Sequence, residues 1–522
     1  MPRAKTPVKK PTRSPSPAPS KRGKSPGTTP NKRAKSPSTT PRRRRKTAVA
    51  SPSPANHVPV SMITEHVSEE MEFGGTFGCL CLIVWSHYIL LYFWYCYEVA
   101  DGQMVIPKSL DSLQEHWGKF LVLLSATWGN VIGRPGMITW SLYFAFFVVQ
   151  IVLAAVAPGY TTYGLPRNGH RLIYHCNGYA CYYFCLWGLF LSHYFNVIPL
   201  EYFAEHIGEF LLSSIIIGDI TSVYWYLYGL YYASSENTST GNVIYDFFMG
   251  TVLYPRIGEV DIKMVAEARW SWLTLFILTL SCAAKQYKEM GFVTKEMGVL
   301  VLAHWLYSNA TVKGEQCIPA TWDMFQEKFG WMLNFWNITG VPFLYSFQSF
   351  YILKHGKTLS STLSVPYVVF LYGLLLLGYF IFDTANSQKA LYKNPKTGDR
   401  NLFPKLPWGR INEPVQCIET PRGKLLVDGW YRYARKAQYT GDIIMALVWG
   451  LACGFDSLLP YFYVTFFTCM INHRQIRDEI KCSEKYGEHW KIYVQKVPNV
   501  FIPSFSIITD LLKSSDPKEK KN

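Results

Sequence analysis

The chain has 522 residues, of which 49% are hydrophobic, 16% aromatic and only 17% charged. Ordinary soluble domains carry about 25% charged residues, and a collagen, a disulfide scaffold or a fully disordered chain would each have a different composition. Long apolar runs recur from residue 76 to residue 471, which excludes a conventional soluble enzyme. The composition predicts an all-α, polytopic membrane protein with one basic appendage.

The net charge of +16 belongs to the beginning of the chain, because residues 1–50 contain 16 Lys and Arg and no acidic residue. The other 472 residues have 36 basic and 36 acidic side chains. Residues 1–60 are rich in Pro, Ser and Thr and have too few large apolar side chains to bury a core, so we expect a disordered cytosolic tail. Three roles remain open for it: a solvated tail that enforces topology, contact with anionic lipid headgroups, and, least favoured, binding of nucleic acid.

Apolar runs of about 20 residues predict membrane-spanning helices. The clear candidates are 76–97, 137–157, 175–197, 209–232 and 365–384, and the weaker ones are 270–284, 293–309 and 331–353. A run over 440–471 is too long for one helix and contains Gly454, Asp456 and Pro460, which predicts a helical hairpin. The total is about ten spans, with both termini on the cytosolic side by the positive-inside rule.

The last residues, 518–522, read Lys-Glu-Lys-Lys-Asn, which fits a cytosolic lysine retrieval signal and predicts the endoplasmic reticulum membrane. We therefore divide the chain into the tail, a transmembrane region over 61–384, a C-terminal cofactor-binding region over 385–505 and a second tail over 506–522. The twelve Cys show no paired C-x-x-C spacing, so we predict no metal site.

Polar and aromatic residues concentrate in three clusters. The first is Tyr245-Asp-Phe-Phe-Met-Gly250 with Pro255-Arg-Ile-Gly258, the second runs from His304 to Asn337, and the third runs from Asn386 to Tyr493. The third mixes Lys and Arg with Tyr and Trp beside apolar runs, a composition that suits an anionic ligand with stacking rings, such as a nucleotide cofactor. The alternative is a basic belt with interfacial aromatic residues at the membrane surface.

These motifs resemble the membrane sterol reductase family, which includes Δ14- and Δ7-sterol reductases, C-24(28) sterol reductases and the membrane part of the lamin B receptor. The resemblance covers most of residues 130–505 and rests on the first cluster, Asn386-Ser-Gln-Lys389, Leu-Leu-Val-Asp428-Gly-Trp and His473-Arg-x-x-Arg-Asp478. Further motifs, such as Thr321-Trp-Asp-Met324 and Phe335-Trp-Asn337, are most similar to the C-24(28) reductases of ergosterol synthesis.

The resemblance implies ten transmembrane helices and NADPH bound between the C-terminal helices at the cytosolic face. Carried over position by position, it implies cofactor contacts at Lys389, Lys393, Leu426, Tyr431, Gln438, Tyr439, Arg474, Asp478, Cys482, Ser483, Glu484, Lys485, Tyr486 and Tyr493. Lys393 stands where many members have Arg, Tyr431 replaces a Trp, and Gln438 replaces an Asn or His. Because Lys lacks the forked donor geometry of Arg, details of the phosphate contacts should differ.

The implied reaction is the reduction of a sterol C24=C28 double bond, with the sterol entering from the bilayer. An isolated alkene needs protonation, at C28, before hydride adds to C24. We rank Tyr245 and Asp246 as the first candidate acids, followed by Asp323, with Glu315 also considered. For each residue the alternative is a helix cap or a structural hydrogen bond.

Three other functions stay open at this point. Reduction of a Δ14 or Δ7 double bond is the nearest alternative. A membrane tether similar to the lamin B receptor would need a folded reader module before the first span, and residues 1–60 are too polar for one. A membrane methyltransferase with a similar C-terminal hairpin would be a much shorter chain.

Overall fold

The computed structural model describes residues 71–166, 171–232, 239–393 and 415–502, apart from the side chains of Arg134, Pro135 and Lys393. The predicted tails, residues 1–60 and 506–522, and the Lys393 side chain therefore lie outside the described part. The first helices are α1 (Gly75–Val99), α2 (Leu110–Ile132), α3 (Arg134–Val156), α4 (Gly178–Tyr194), α5 (Tyr202–Glu205), α6 (Ile207–Tyr231), α7 (Val243–Met249), α8 (Ile262–Val265) and α9 (Trp272–Met290).

The second half continues the helical pattern. Its helices are α10 (Lys295–Lys313), α11 (Trp322–Phe325), α12 (Trp331–Phe335), α13 (Val341–Leu344), α14 (Phe347–Thr362), α15 (Val365–Lys393), α16 (Ala437–Leu451), α17 (Phe462–Tyr486) and α18 (Glu488–Lys496). Two π-helical segments, Ala266–Ser271 and Trp336–Gly340, continue directly into α9 and α13.

The expectation of an all-α chain needs a small correction, because three antiparallel β-hairpins join the helices. They pair β1 (Tyr160–Tyr163) with β2 (Ile173–Cys176), β3 (Arg256–Ile257) with β4 (Val260–Asp261), and β5 (Cys417–Thr420) with β6 (Gly423–Leu426). Their registers place Tyr160 opposite Cys176, Arg256 opposite Asp261 and Cys417 opposite Leu426. The hairpins satisfy backbone hydrogen bonds in the connections, where no helix continues.

Four helices in the described part are long and apolar enough to cross a membrane. They span Glu72–Val99, Gly136–Val156, Ile207–Tyr231 and Val365–Tyr392, and they confirm four of the five clear sequence predictions as helices. The fifth prediction, 175–197, corresponds to the end of β2 followed by the 17-residue helix α4. Helix α2 was missed, because Asp111, Glu115 and Lys119 interrupt the apolar pattern of its first half.

The three weaker predictions were right about helix formation: the run at 293–309 corresponds to the single helix α10, while the other two include a change of helix type or a break. The run at 270–284 begins in a π-helical segment, and the run at 331–353 is divided among α12, the second π segment, α13 and α14. The predicted hairpin over 440–471 is present: α16 ends at Leu451, Gly454 adopts a φ of 70°, and α17 begins at Phe462. Pro460 lies in the short 3₁₀ turn that precedes α17.

The main core is unusually aromatic and lies between α1, α6, α9, α10, α14, α16 and α17. Fully buried rings at its centre include Trp270, Trp331, Trp449, Tyr351, Tyr379 and Tyr463. Helix α15 runs without a break past residue 384, so the predicted membrane and cofactor regions share this helix.

Two glycines let α15 and α16 cross closely. A Cβ atom added at Gly441 would lie 2.5 Å from the carbonyl oxygen of Gly378 and 2.6 Å from the backbone nitrogen of Phe382. No side chain fits between these backbones, so the crossing point is fixed by residue size. It sets the distance between the last turns of α15 and the first turns of α16, where the predicted cofactor residues lie.

A similar contact joins the first two sequence clusters. The backbones of Gly250, after α7, and Gly330, before α12, touch so closely that a Cβ atom at either one would overlap the other. The Phe329 N–H donates to the Val252 carbonyl at 2.8 Å and aligns the two segments. Gly250 also has a φ of 94°, a conformation that favours glycine.

We predict that Gly441→Ala destabilises the protein by about 1–3 kcal/mol, because the added methyl group forces α15 and α16 apart. The measurement is thermal unfolding in detergent. Gly373→Ala is the matched control: Gly373 also lies in a helix, but no atom lies within 4 Å of its added Cβ. The control should keep or slightly raise the melting temperature, since Ala favours helix; equal behaviour of the two variants would contradict the crossing argument.

Candidate functional site

The predicted cofactor residues of α15 and α16 meet around the ring of Tyr431. Tyr431 is buried in a 3₁₀ turn, Gly429–Arg432, and its hydroxyl lies 3.2 Å from Gln438 Oε1 and 3.3 Å from the Ala385 carbonyl. The ammonium of Lys389 lies 5.9 Å from the centre of the same ring. Burial, together with the nearby hydroxyls of Tyr493 and Tyr439, raises the pKa of Tyr431. These predicted residues therefore form one cluster.

The turn that carries Tyr431 is held by side chains of its neighbours. The Asp428 carboxylate accepts hydrogen bonds from the backbone N–H groups of Gly429 at 2.8 Å and Val415 at 2.9 Å. The backbone N–H of Trp430 donates to Gln388 Oε1 at 2.9 Å, and its indole N–H donates to Thr384 Oγ1 at 2.8 Å. The Asp-Gly-Trp motif thus anchors the turn to α15.

Helix α17 adds an ion pair to this cluster. The Lys436 ammonium bonds to the Asp478 carboxylate. Burial opposes the charge on Lys436, but Asp478 outweighs it and raises the pKa of the ammonium. Burial, with Asp478 beside it, raises the pKa of the Cys482 thiol to about 11, so this thiol stays protonated at neutral pH. Cys482 packs beside Trp490 and Tyr493 of α18.

Backbone hydrogen bonds join the two ends of the segment from residue 435 to residue 500. The chain after α18 returns to the beginning of α16, where the backbone N–H groups of Arg435 and Lys436 donate to the carbonyls of Asn499 at 2.9 Å and Val500 at 3.0 Å. The guanidinium of Arg435 also donates to the carbonyls of Val497 at 2.7 Å and Pro498 at 2.8 Å, and it pairs with Glu479. Residues 435–500 thereby form a closed loop.

Arg474 connects the second and third sequence clusters. Its guanidinium lies 2.8 Å from the Asp323 carboxylate of α11, and although burial opposes its charge, Asp323 raises the pKa of Arg474. One turn further along α17, Arg477 bonds to Glu327 at 3.1 Å and also to Glu72. The structure therefore brings the predicted acid Asp323 into direct contact with a predicted cofactor residue.

Not every predicted cofactor residue joins this cluster. Ser483, Glu484 and Lys485 are exposed near the end of α17, and Tyr486 stacks on Trp490 at a ring distance of 6.3 Å. Leu426 is buried at the end of β6. These five positions remain predictions, and Lys393 is not tested because its side chain is not described.

The two first-ranked acids lie in bonding arrangements that suit structural roles. The Asp246 carboxylate accepts hydrogen bonds from Ser239 Oγ at 2.7 Å and from both the hydroxyl and the backbone N–H of Thr240, at 2.8 Å and 3.0–3.1 Å. The Tyr245 hydroxyl accepts from the backbone N–H of Glu72 at 3.1 Å. These hydrogen bonds fix the Asp246 carboxylate against the loop before α7, which suits a structural role.

Glu315 forms a buried ion pair with Arg269. The guanidinium donates to one Glu315 oxygen from Nε at 2.9 Å and from Nη2 at 2.6 Å, and the backbone N–H of Gly178 donates to the other oxygen at 2.7 Å. Both carboxylate oxygens are therefore occupied. This geometry matches the structural alternative that the sequence left open for Glu315.

Next to the cluster around Tyr431 lies a group of packed aromatic rings, which sequence reasoning did not identify. This aromatic group consists of Trp272, Tyr307, Tyr345, Phe382, Trp449 and Tyr463. The Tyr307 hydroxyl lies 3.3 Å from the carboxylate of Asp442, which is buried on α16. Asp442 follows Gln438 by one helical turn, about 6 Å. An acidic residue inside the apolar run of 440–471 was the signal that could have found this pair.

The donor set of the cluster fits a reduced nicotinamide dinucleotide. Lys389, Lys436 and Arg474 would supply positive charge for its phosphates, and Tyr431 and Tyr439 would supply ring surfaces. Phosphates are bound by such cations through charge-assisted hydrogen bonds, and aromatic rings accept stacked bases.

Comparison with known proteins points in the same direction. A profile described as the ergosterol biosynthesis ERG4/ERG24 family matches residues 67–506. A Delta(24(24(1)))-sterol reductase of Gibberella zeae is 37% identical over 450 residues, which cover 84% of this chain and 73% of the relative. A protein of the same name from Aspergillus fumigatus is 38% identical and covers 83% and 92%. A Delta(14)-sterol reductase of Methylotuvimicrobium alcaliphilum is 33% identical and covers 83% and 95%.

We predict that Glu315→Gln destabilises the protein by about 3–5 kcal/mol, because it leaves the buried Arg269 charge unpaired. Thermal unfolding in detergent measures this loss. Glu115→Gln is the matched control, since Glu115 pairs with Lys119 at the exposed surface, where the loss of an ion pair changes stability little. A Glu315→Gln protein that unfolds like the wild type but has lost activity would instead support a catalytic role.

Proposed function

This chain belongs to the ergosterol biosynthesis ERG4/ERG24 family, and from that membership we propose that it reduces the C24=C28 double bond of an ergosta-type sterol with NADPH. It is a sterol reductase, an oxidoreductase that acts on a carbon–carbon double bond. The two relatives that share 37–38% identity with it carry the name Delta(24(24(1)))-sterol reductase, which supports the choice of double bond.

The proposal rests on the cluster of three cations and several tyrosines that lies beside the aromatic group. Lys389, Lys436 and Arg474 would bind the phosphates of NADPH, and Tyr431 and Tyr439 would contact its rings. Asp323 and Asp478 hold two of these cations in place before the cofactor binds. When bound, NADPH supplies the hydride.

The protein must supply the other parts of the reaction. The alkene has no carbonyl that could be polarised, so a proton must reach C28 before C24 accepts hydride. In this proposal the rings of the aromatic group exclude water that would trap the cation, and their faces stabilise its charge. The rings of Tyr307 and Phe382, with centres 6.2 Å apart, belong to this group.

The proton donor belongs, in this proposal, to the carboxyl groups near Arg474. Asp323 is the predicted acid that lies closest to the cofactor cluster. Tyr245 and Asp246 remain predictions, but their hydrogen bonds to Glu72, Ser239 and Thr240 support structural roles.

The proposal also covers the number of membrane-spanning helices and the side of the membrane on which the cluster lies. Beyond the four candidate spans, we propose that other long helices, including α10, α16 and the first half of α17, also cross the bilayer, for a total near ten. The cofactor cluster would then face the cytosol, and the enzyme would lie in the endoplasmic reticulum membrane with both termini cytosolic. The basic tail would contact anionic headgroups.

We predict that the purified protein converts an ergosta-type sterol with a 24(28) double bond and NADPH into a product heavier by two hydrogens. Gas chromatography with mass spectrometry identifies the product. Asp478→Ala should abolish the conversion, because it releases Lys436 from its position. Saturation of a Δ14 or Δ7 sterol instead, with no 24(28) reduction, would keep the family and overturn the choice of double bond.

We predict that Arg474→Ala and Lys389→Ala each raise the dissociation constant of NADPH by about 10–100-fold, because a charge-assisted hydrogen bond contributes about 1.5–3 kcal/mol. Isothermal titration calorimetry with the detergent-solubilised protein measures the change. Lys491→Ala is the control, since Lys491 is exposed and pairs only with its neighbour Glu488. Unchanged affinity in both test variants would contradict the assigned phosphate contacts.

A further inference from the structure

The residues that lead into α1 form a turn of three successive left-handed residues. Phe73, Gly74 and Gly75 have φ angles of 57°, 76° and 65°. Glycine adopts this conformation readily, but in phenylalanine the Cβ atom crowds the backbone, so a bulky residue there is uncommon. Such a residue persists only where its surroundings determine the conformation, and residues of this kind cluster at functional sites. The contacts of Phe73 should therefore offset the strain.

The Phe73 ring lies between two helices. Its centre is 5.7 Å from the ring centre of Phe248, on α7, and 5.8 Å from that of His473, on α17. The guanidinium of Arg477, one turn further along α17, lies 5.6 Å from the centre of the Phe73 ring, within the range of a cation–π interaction. One ring at the start of α1 thus contacts both α7 and α17.

The preceding residue, Glu72, joins the same two helices through polar contacts. Its carboxylate pairs with Arg477 of α17, and its backbone N–H donates to the hydroxyl of Tyr245, on α7, at 3.1 Å. We call Glu72 and Phe73 the α1 strap. Because Glu72 and Arg477 are 405 positions apart, the α1 strap ties the first long helix to one of the last.

The α1 strap contacts α17 on the row of residues beside the predicted cofactor residues. Residues four positions apart share a helix face, so His473 and Arg477 form one row, and Arg474 and Asp478 form the next, about 100° around the helix axis. The first row contacts the α1 strap, and both residues of the second row form ion pairs of the candidate site. A rotation of α17 about its axis would therefore move both rows together.

Core packing does not by itself fix this rotation. The buried residues of α17, every residue of which the structure describes, are Tyr463, Phe467, Ile471 and Gln475. From residue 476 to residue 486, each side chain of α17 is at least partly exposed. Ion pairs hold this part of the helix, and pairs that remain partly exposed are individually weak. The α1 strap adds an aromatic contact at the point where core packing ends.

We propose that the α1 strap is a positioning element of the NADPH site: it fixes the rotation of α17 and so directs Arg474 toward the phosphates. This inference rests on the proposed function. Neither Glu72 nor Phe73 is a predicted cofactor contact, and both act through the neighbouring row of α17. Without the strap, the end of α17 would be free to rotate, and Arg474 would no longer be held in one direction.

The test is isothermal titration calorimetry of NADPH with the full-length protein in detergent. The double variant Glu72→Gln/Phe73→Ala should raise the dissociation constant about 10-fold, because it removes the ring contacts and one ion pair that hold α17. Its kcat at saturating NADPH should stay within twofold of the wild type. The control Glu115→Gln/Phe77→Ala makes the same changes at exposed positions and should match the wild type.

A rescue variant and the melting temperature separate positioning from simple stabilisation. Glu72→Asp/Phe73→Tyr keeps the charge and the ring, and it should restore most of the affinity for NADPH. A double variant that loses kcat and melting temperature with an unchanged KM for NADPH would show a purely structural role and overturn the proposal. If the double variant fails to fold, the single variant Glu72→Gln should shift the affinity in the same direction.

A second measurement detects the rotation without NADPH. Cys482 continues the row of Arg474 and Asp478 and packs beside Trp490 and Tyr493. In the double variant, N-ethylmaleimide should alkylate Cys482 several-fold faster than in the wild type, while Cys469, exposed on the same helix, should react at an unchanged rate. An unchanged Cys482 rate, or an unchanged dissociation constant, would overturn the proposal. A wild-type protein that binds no NADPH would instead contradict the proposed function, while the Cys482 rates would still test the rotation.

Discussion

The arrangement of the site depends on how closely α15 and α16 approach each other at Gly378 and Gly441. From this contact, α15 runs forward and α16 runs backward along the chain to the cluster around Tyr431. Lys389 and the carbonyl of Ala385 lie on one helix, and Gln438 and Lys436 lie on or beside the other. In the same region Phe382 and Asp442 reach Tyr307. A single contact between two backbones therefore fixes how closely the two helices that carry these residues approach each other.

Charge is balanced locally throughout this region. Lys436 pairs with Asp478, Arg474 with Asp323, Arg477 with Glu327 and Arg435 with Glu479. Half-buried cations without partners would repel one another and lose hydration, so the acids allow several cations to lie together.

The sequence motifs predicted which residues lie together better than which of them bond to one another. The polar and aromatic composition of residues 386–493 singled out Lys389, Tyr431 and Gln438, which the structure brings together, and Gly454 with Pro460 located the hairpin turn. Sequence patterns could not show which charges pair, because Asp323 and Arg474 are 151 positions apart. Nor could they reveal the π segment, since its residues continue an ordinary helical pattern. Nor could they show that the Asp246 carboxylate, a predicted acid, is bonded to Ser239 and Thr240 of the preceding loop.

The hydrogen bonds between residues 435–436 and 499–500 have a consequence for folding during synthesis. A chain that emerges from the ribosome in order completes α1 to α15 long before residue 500 is synthesised. Until then Arg435 cannot bind the carbonyls of Val497 and Pro498, and the loop that joins α16, α17 and α18 stays open. The hydrogen bonds that close this loop are therefore among the last contacts of the described chain that can form. A chain interrupted before residue 497 would contain the helices up to α18 but would lack the bonds that join the end of the described chain to α16.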